Sequence, residues 1–177
     1  MKLSVLAVSV VARTFESEYP VYGDESIMDK KEFGTCTDRP HPRSLKWGVD
    51  FAETSRISCF NRKYAELKYS FLETSFMNET ASEEEPMTFY DPVNLVPIFK
   101  APIGRSWEHF IEDSTEHGWP QFQDQEVVWE NVRSMENGEI VTINGVHLGH
   151  NFPEADSSEW ANRYCINLLS IAGIPKN

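Results

Sequence analysis

The sequence predicts a mainly β protein: small antiparallel β-sheets, one or two flanking helices and an irregular N-terminal arm. Three observations carry that prediction. Asn137-Gly138 and Asn144-Gly145 each lie between strand-like runs, and Asn-Gly supplies the two left-handed residues that a tight hairpin turn needs. Thr88 to Tyr90 and Ile98-Phe99 are short apolar stubs bracketed by Pro92, Pro97 and Pro102, a placement that suits edge strands or turns rather than a central strand. Ser106 can cap a helix whose apolar face is Trp107, Phe110, Ile111 and Ser114, and Gly118 stops it.

Taken in order, Leu3 to Ala12 is an apolar run preceded by Lys2. It reads as a short signal segment over residues 1–12, cleaved after Ala12, or as a buried N-terminal strand. The rest of the first 85 residues is irregular, punctuated by Tyr19-Pro20, Gly23-Asp24 and Arg39-Pro40-His41-Pro42, and closes on the acidic run Ser82 to Glu85. Within it Ile57, Phe60, Tyr64, Leu67, Phe71, Leu72 and Phe76 recur at three- and four-residue steps, which predicts an amphipathic segment packed on the main body. Residues 1–86 are therefore expected to be an arm and residues 87–177 the main domain. After the helix, Val127-Val128-Trp129 and Val132, then Ile140 to Ile143, then Val146 onward predict an antiparallel meander, with a last strand from Arg163 to Ser170.

With 40% hydrophobic residues, a chain of 177 fits one globular domain. Sixteen Lys and Arg against 28 Asp and Glu leave a net charge of -12, so no basic footprint exists for a nucleic-acid backbone. The longest apolar run is about half of the roughly 20 residues that span a bilayer, so no membrane partner is expected. Asn78-Glu79-Thr80 is an N-glycosylation acceptor pattern. The compartment is secretory or organellar if residues 1–12 act as a signal, and cytoplasmic otherwise.

Cys36, Cys59 and Cys165 allow at most one disulfide and leave one thiol over. No C-x-x-C or H-E-x-x-H occurs, so the usual zinc spacings are missing and no metal is expected. Strand alternation puts Tyr164, Ile166 and Leu168 on the core face and Arg163, Cys165 and Asn167 on the other. A guanidinium two residues away is about 6.6 Å distant, worth about 2.5 kcal/mol at an effective dielectric near 20. Half of that draws a thiol from about 8.5 toward neutrality and so raises the nucleophilic thiolate. His147 and His150 lie three apart, on opposite faces of a flat strand, and need a bend at Gly149 to line one pocket. An imidazole there can protonate a leaving oxygen. Gly118-Trp119-Pro120-Gln121-Phe122 presents an aromatic plane suited to a sulfur-bound methyl.

Those three segments, Gly118-Trp119-Pro120-Gln121-Phe122, His147-Leu148-Gly149-His150-Asn151-Phe152 and Arg163-Tyr164-Cys165-Ile166-Asn167, in this order, resemble the methionine-R-sulfoxide reductase family over roughly Met87 to Ile171. Gln121 stands where that family has Ser and Asn151 where it usually has Val. The resemblance implies a β-tent fold and a nucleophilic Cys165 that attacks the sulfoxide sulfur and becomes a sulfenic acid. It makes His147 and His150 the proton donors, Arg163 the group that lowers the thiol pKa, Asn167 a positioning residue, and Trp119 with Phe152 the methyl cage. No bound cofactor is implied, and the partners are oxidised methionine, free or in proteins, and a thioredoxin-type or other external thiol reductant. Many members hold zinc with two C-x-x-C pairs; Asp91, Asn94, Val141 and Asn144 occupy those positions, which implies a zinc-free form. His117 occupies the common resolving position, so resolution falls to Cys59, to Cys36 or to an external thiol. Two further readings compete: a β-fold binding module that uses the aromatic pocket for recognition only, and a thiol peroxidase, which lacks the expected strand–helix alternation.

Overall fold

The structure is a computed structural model that describes residues 19–153 and 162–175. The apolar run at residues 3–12 lies outside them. It is mainly β, as predicted, with a two-stranded and a five-stranded antiparallel sheet and two short α-helices among the described residues. The first helix, α1, spans Phe51–Ser55 and is capped by Asp50, whose carboxylate accepts the Glu53 amide at 2.8 Å. Strands β1 (Met87–Tyr90) and β2 (Pro97–Ala101) are the two proline-bracketed stubs and pair with each other. Helix α2, Trp107–His117, has the predicted ends: Ser106 Oγ accepts the His109 amide at 3.1 Å, and Gly118 turns left-handed at φ 89.

Strands β3 (Gln121–Phe122), β4 (Val132–Ser134), β5 (Glu139–Thr142), β6 (His147–Asn151) and β7 (Tyr164–Ile166) form the larger sheet in the order β3-β7-β6-β5-β4. Both Asn-Gly turns are where the sequence sets them, with Gly138 at φ 85 and Gly145 at φ 87. The two sheets and α2 meet through aromatic rings: Phe99 stacks on Phe122 at 4.2 Å, while Phe89 and Phe110 each reach it at 5.2 Å.

Several expectations are corrected. Val127-Val128-Trp129 is not a strand: a 3-10 turn at Asp124–Glu126 precedes it, and Val127 only bridges Phe99 before the chain turns at Asn131. That turn is fixed because Glu126, fully buried, accepts from Arg105 Nη2 at 2.6 Å and from the Gln123 amide at 2.9 Å. The last strand is shorter than predicted; Asn167 opens a buried 3-10 turn, Leu168–Ile171. The amphipathic run from Ile57 to Phe76 is not one helix. Ile57, Phe71 and Phe76 are buried, but Phe60, Tyr64 and Leu67 are exposed: the backbone groups of Glu66 and Tyr69 bond to Asn167, Trp119 and Gly118 instead of continuing a helix.

Nor do residues 19–86 form a separate arm. Trp47, Phe71 and Phe76 belong to the same apolar cluster as Phe89, Phe110 and Phe122. Glu79 lies between two indoles, accepting from Trp47 Nε1 at 2.7 Å on its carboxylate and from Trp107 Nε1 at 3.1 Å on its carbonyl. Cys36 and Cys59 are joined in a disulfide, which ties the loop at Thr35 to the end of the helical turn at Cys59. That loop docks on the second Asn-Gly turn: Thr35 Oγ1 donates to Gly145 O at 2.7 Å, and a Cβ at Gly145 would lie 2.1 Å from Thr35 O.

Candidate functional site

Register pairing builds the site. Gln121 on β3 lies opposite Cys165 on β7, Cys165 opposite His150 on β6, and His150 opposite Glu139 on β5. Directly opposed residues in antiparallel strands share a face, with Cβ atoms about 4.5–5.5 Å apart. The row Gln121, Cys165, His150, Glu139 therefore crosses one face of the sheet. The opposite alternation is also as expected, since Tyr164, Ile166 and Leu168 are all buried in the core.

His147 joins the same face by a route the sequence reading did not foresee. A β-bulge, not a bend at Gly149, brings it there: the pairs Ile140–Gly149 and Val141–His147 leave Leu148 as an extra residue on β6. The two imidazoles meet edge to face with centroids 5.4 Å apart. Gly149 has a different duty. A Cβ there would lie 2.1 Å from the Cys165 carbonyl oxygen, so the absence of a side chain allows β6 and β7 to approach where their catalytic candidates face each other.

A cavity of about 60 Å³ opens at this row, lined by Ala65, Trp119, Gly149, His150, Phe152, Cys165 and Asn167. Five of the predicted site residues thus surround one space: Cys165, His150, Asn167, Trp119 and Phe152. Cys165 is half-buried and lies outside any disulfide. Burial holds the His150 imidazole below the ordinary histidine value of 6.5; His147 reinforces that shift and Glu139 opposes it. Asn167 is buried, its amide donating to Leu148 O at 3.0 Å and its carbonyl accepting the Glu66 amide at 2.8 Å. Trp119 Nε1 donates to the Glu66 carbonyl at 2.8 Å.

The other predicted residues stand elsewhere. His147 is buried behind His150, its Nδ1 2.8 Å from Glu139 Oε1, and its Nε2 has no hydrogen-bond partner among the described residues. Arg163 lies outside the cavity lining, its guanidinium 5.9 Å from the Phe152 ring centroid. Cys36 and Cys59 are bonded to each other and 0% and 1% exposed, so as folded neither offers a thiol to resolve a sulfenic acid, contrary to the expectation for Cys59 or Cys36.

Sequence reasoning missed four contributors. Glu139 is one: burial alone would raise its carboxyl, but hydrogen bonds from His147 and Arg62 hold it below the usual range. As a carboxylate it accepts, so Nδ1 of His147 carries the proton. Arg62 is the second, donating from Nε to Glu139 Oε2 at 2.9 Å and from Nη1 to Glu25 at 2.6 Å. Ala65 and Glu66 are the remaining two: Ala65 lines the cavity, and the Glu66 backbone fastens Asn167 and Trp119. Register counted back from the Asn144-Gly145 turn, which closes with the Thr142 amide on Val146 O, pairs Glu139 with Gly149, because the bulge at Leu148 carries no signal in the sequence; no local signal marks Arg62, Ala65 or Glu66 either, which lie far away in sequence.

Asp91, Asn94, Val141 and Asn144 do not fit a tetrahedral zinc, because the set offers one carboxylate and no thiol or imidazole. The Asp91 carboxylate is instead used by the turn itself, accepting the amides of Val93 at 2.8 Å, Asn94 at 2.6 Å and Val96 at 3.1 Å. Among the described residues, no group of three or more His, Cys, Asp and Glu is arranged to hold a metal ion.

A half-buried thiol with an imidazole directly across from it, at a small aromatic-walled cavity, has the chemistry to attack a compact polar centre that carries an apolar substituent. No protein-family model matches the chain.

Proposed function

We propose that the protein reduces methionine-R-sulfoxide to methionine with Cys165 as nucleophile. The observation that carries this reading is the register pairing of Cys165 with His150 at a cavity walled by Trp119 and Phe152. Trp119 and Phe152 hold the S-methyl group through sulfur–aromatic and dispersion contact. His150, kept neutral by burial, takes the proton of the Cys165 thiol. The thiolate attacks the sulfoxide sulfur, and His150 returns the proton to the departing oxygen. The hydroxyl then passes to Cys165 as the sulfur–sulfur bond made in the attack and the sulfur–oxygen bond of the substrate both break, so methionine leaves and Cys165 becomes a sulfenic acid. Glu139 stabilises the transient positive charge next to it, and Arg62 keeps that carboxylate in position.

An external thiol then attacks the sulfenic acid, releasing water and leaving a mixed disulfide; a second thiol restores Cys165 and departs as a disulfide. The resemblance favours a thioredoxin-type reductant, and the Cys36–Cys59 disulfide favours recycling from outside the chain.

Incubation with dithiothreitol and the separated diastereomers of dabsyl-methionine sulfoxide tests the proposal. The R isomer should be consumed by wild type and persist with Cys165→Ser. Persistence of the R isomer with wild type, or equal consumption by the serine variant, sinks the enzymatic reading and leaves the cavity as a recognition site.

A further inference from the structure

The segment at residues 64–69 forms one lip of the cavity. It is fastened to the Gly118-Trp119 turn at two points: the Glu66 carbonyl accepts Trp119 Nε1 at 2.8 Å, and the Tyr69 amide donates to Gly118 O at 2.8 Å. Ala65 lines the cavity itself. Leu67, between the fastenings, is 80% exposed, and Tyr64 and Tyr69 also face solvent. A rigidly held segment that keeps three large apolar side chains in water beside a cavity offers them to whatever enters it.

Lys68 lies across this lip. Its stem occupies the space above Gly118, where a Cβ would meet Lys68 Cγ at 2.3 Å and Cε at 2.5 Å. Its ammonium sits 5.8 Å from the Trp119 ring centroid and 4.9 Å from that of Tyr69. In a chain of net charge -12, Lys68 makes no ion pair among the described residues. The Glu66 carboxylate turns inward to the Leu169 amide, and Glu139 is held by Arg62 and His147. A cation whose stem is already packed loses little freedom when it meets an anion.

Resting on the reductase reading above, we infer that Lys68 selects substrates in which the oxidised methionine is flanked by a carboxylate, within a polypeptide whose apolar neighbours lie on Tyr64, Leu67 and Tyr69. The carboxylate meets the ammonium at the rim while the methyl sulfoxide reaches Cys165. An exposed pair of this kind is worth up to about fivefold in affinity. Lys68 takes no part in the chemical step, so the effect belongs in KM and leaves kcat alone.

The test uses acetylated, amidated pentapeptides with one methionine-R-sulfoxide next to Asp, Asn or Lys, and free methionine-R-sulfoxide as a separate arm. With wild type, KM for the Asp peptide should be about two- to fivefold below that for the Asn peptide, and highest for the Lys peptide. Lys68→Gln should make the three equal, Lys68→Arg should keep the order, and about 0.5 M NaCl should erase it. Equal KM values for all three peptides with wild type overturn the inference while leaving the reductase intact. Dependence on Lys68 for the free amino acid alone overturns the polypeptide claim and assigns the ammonium to the α-carboxylate. Failure to turn over any of these sulfoxides defeats the reductase reading itself.

Discussion

At the residue scale, the proposed chemistry turns on the protonation state of His150. Its pKa is lowered by burial, so the imidazole stays neutral in the folded protein below pH 6.5, where the unfolded chain already takes up a proton. Protons bound in excess by the unfolded state make stability fall as pH falls through that window. In the proposed mechanism the same shift governs the rate: as the base that receives the Cys165 proton, His150 must be neutral. Sulfenic acid formation, followed in single turnover with a dimedone trap, should have an acid limb with its midpoint below 6.5, and His150→Ala should slow that step by about 10²–10⁴. A midpoint at or above 6.5 for the His150 ring in an NMR titration would contradict this account. Cys165, His150, Asn167, Trp119 and Phe152 were legible in the sequence because strand alternation and short motifs fix them locally. Arg62 and Glu66 were not, because what they do depends on partners 77 and 101 residues away.

At the element scale, the hairpins and α2 were readable because their signals are local chemistry: Asn-Gly at the turns, Ser106 and Gly118 at the helix ends. Val127-Val128-Trp129 misled because β propensity there loses to the buried Arg105–Glu126 pair, which fixes the preceding turn from outside the segment. The register shift on β6 was equally invisible, since an extra residue in one strand is defined only by the partner strand. The β6–β7 pairing on the other side of that strand depends on Gly149, whose missing side chain makes room for the β7 backbone. Gly149→Ala should cost about 1–3 kcal/mol in urea unfolding, as overpacking does, and should slow sulfoxide reduction disproportionately by moving Cys165 away from His150. Full stability and full turnover in that variant would show that the strands have slack there.

At the scale of the whole molecule, the boundary expected at residue 86 does not divide two bodies. The N-terminal half supplies core rings, a cavity wall and the clamp on Glu139, and the Cys36–Cys59 disulfide closes it against itself across a separation of 23 residues. Loop-closure entropy for that span gives about 3 kcal/mol of stability. The double variant Cys36→Ser, Cys59→Ser should lose about that much in chemical denaturation, yet retain thiol-driven turnover at temperatures where it stays folded. Loss of turnover in the folded double variant would restore one of the pair as a resolving thiol.

Glu66 is one residue with two grips: its N–H holds Asn167 and its C=O holds Trp119. The floor and the aromatic side of the chamber therefore hang from a single peptide neighbourhood. One anchor therefore sets the distance between them, and neither can be re-aimed without straining the bond that holds the other.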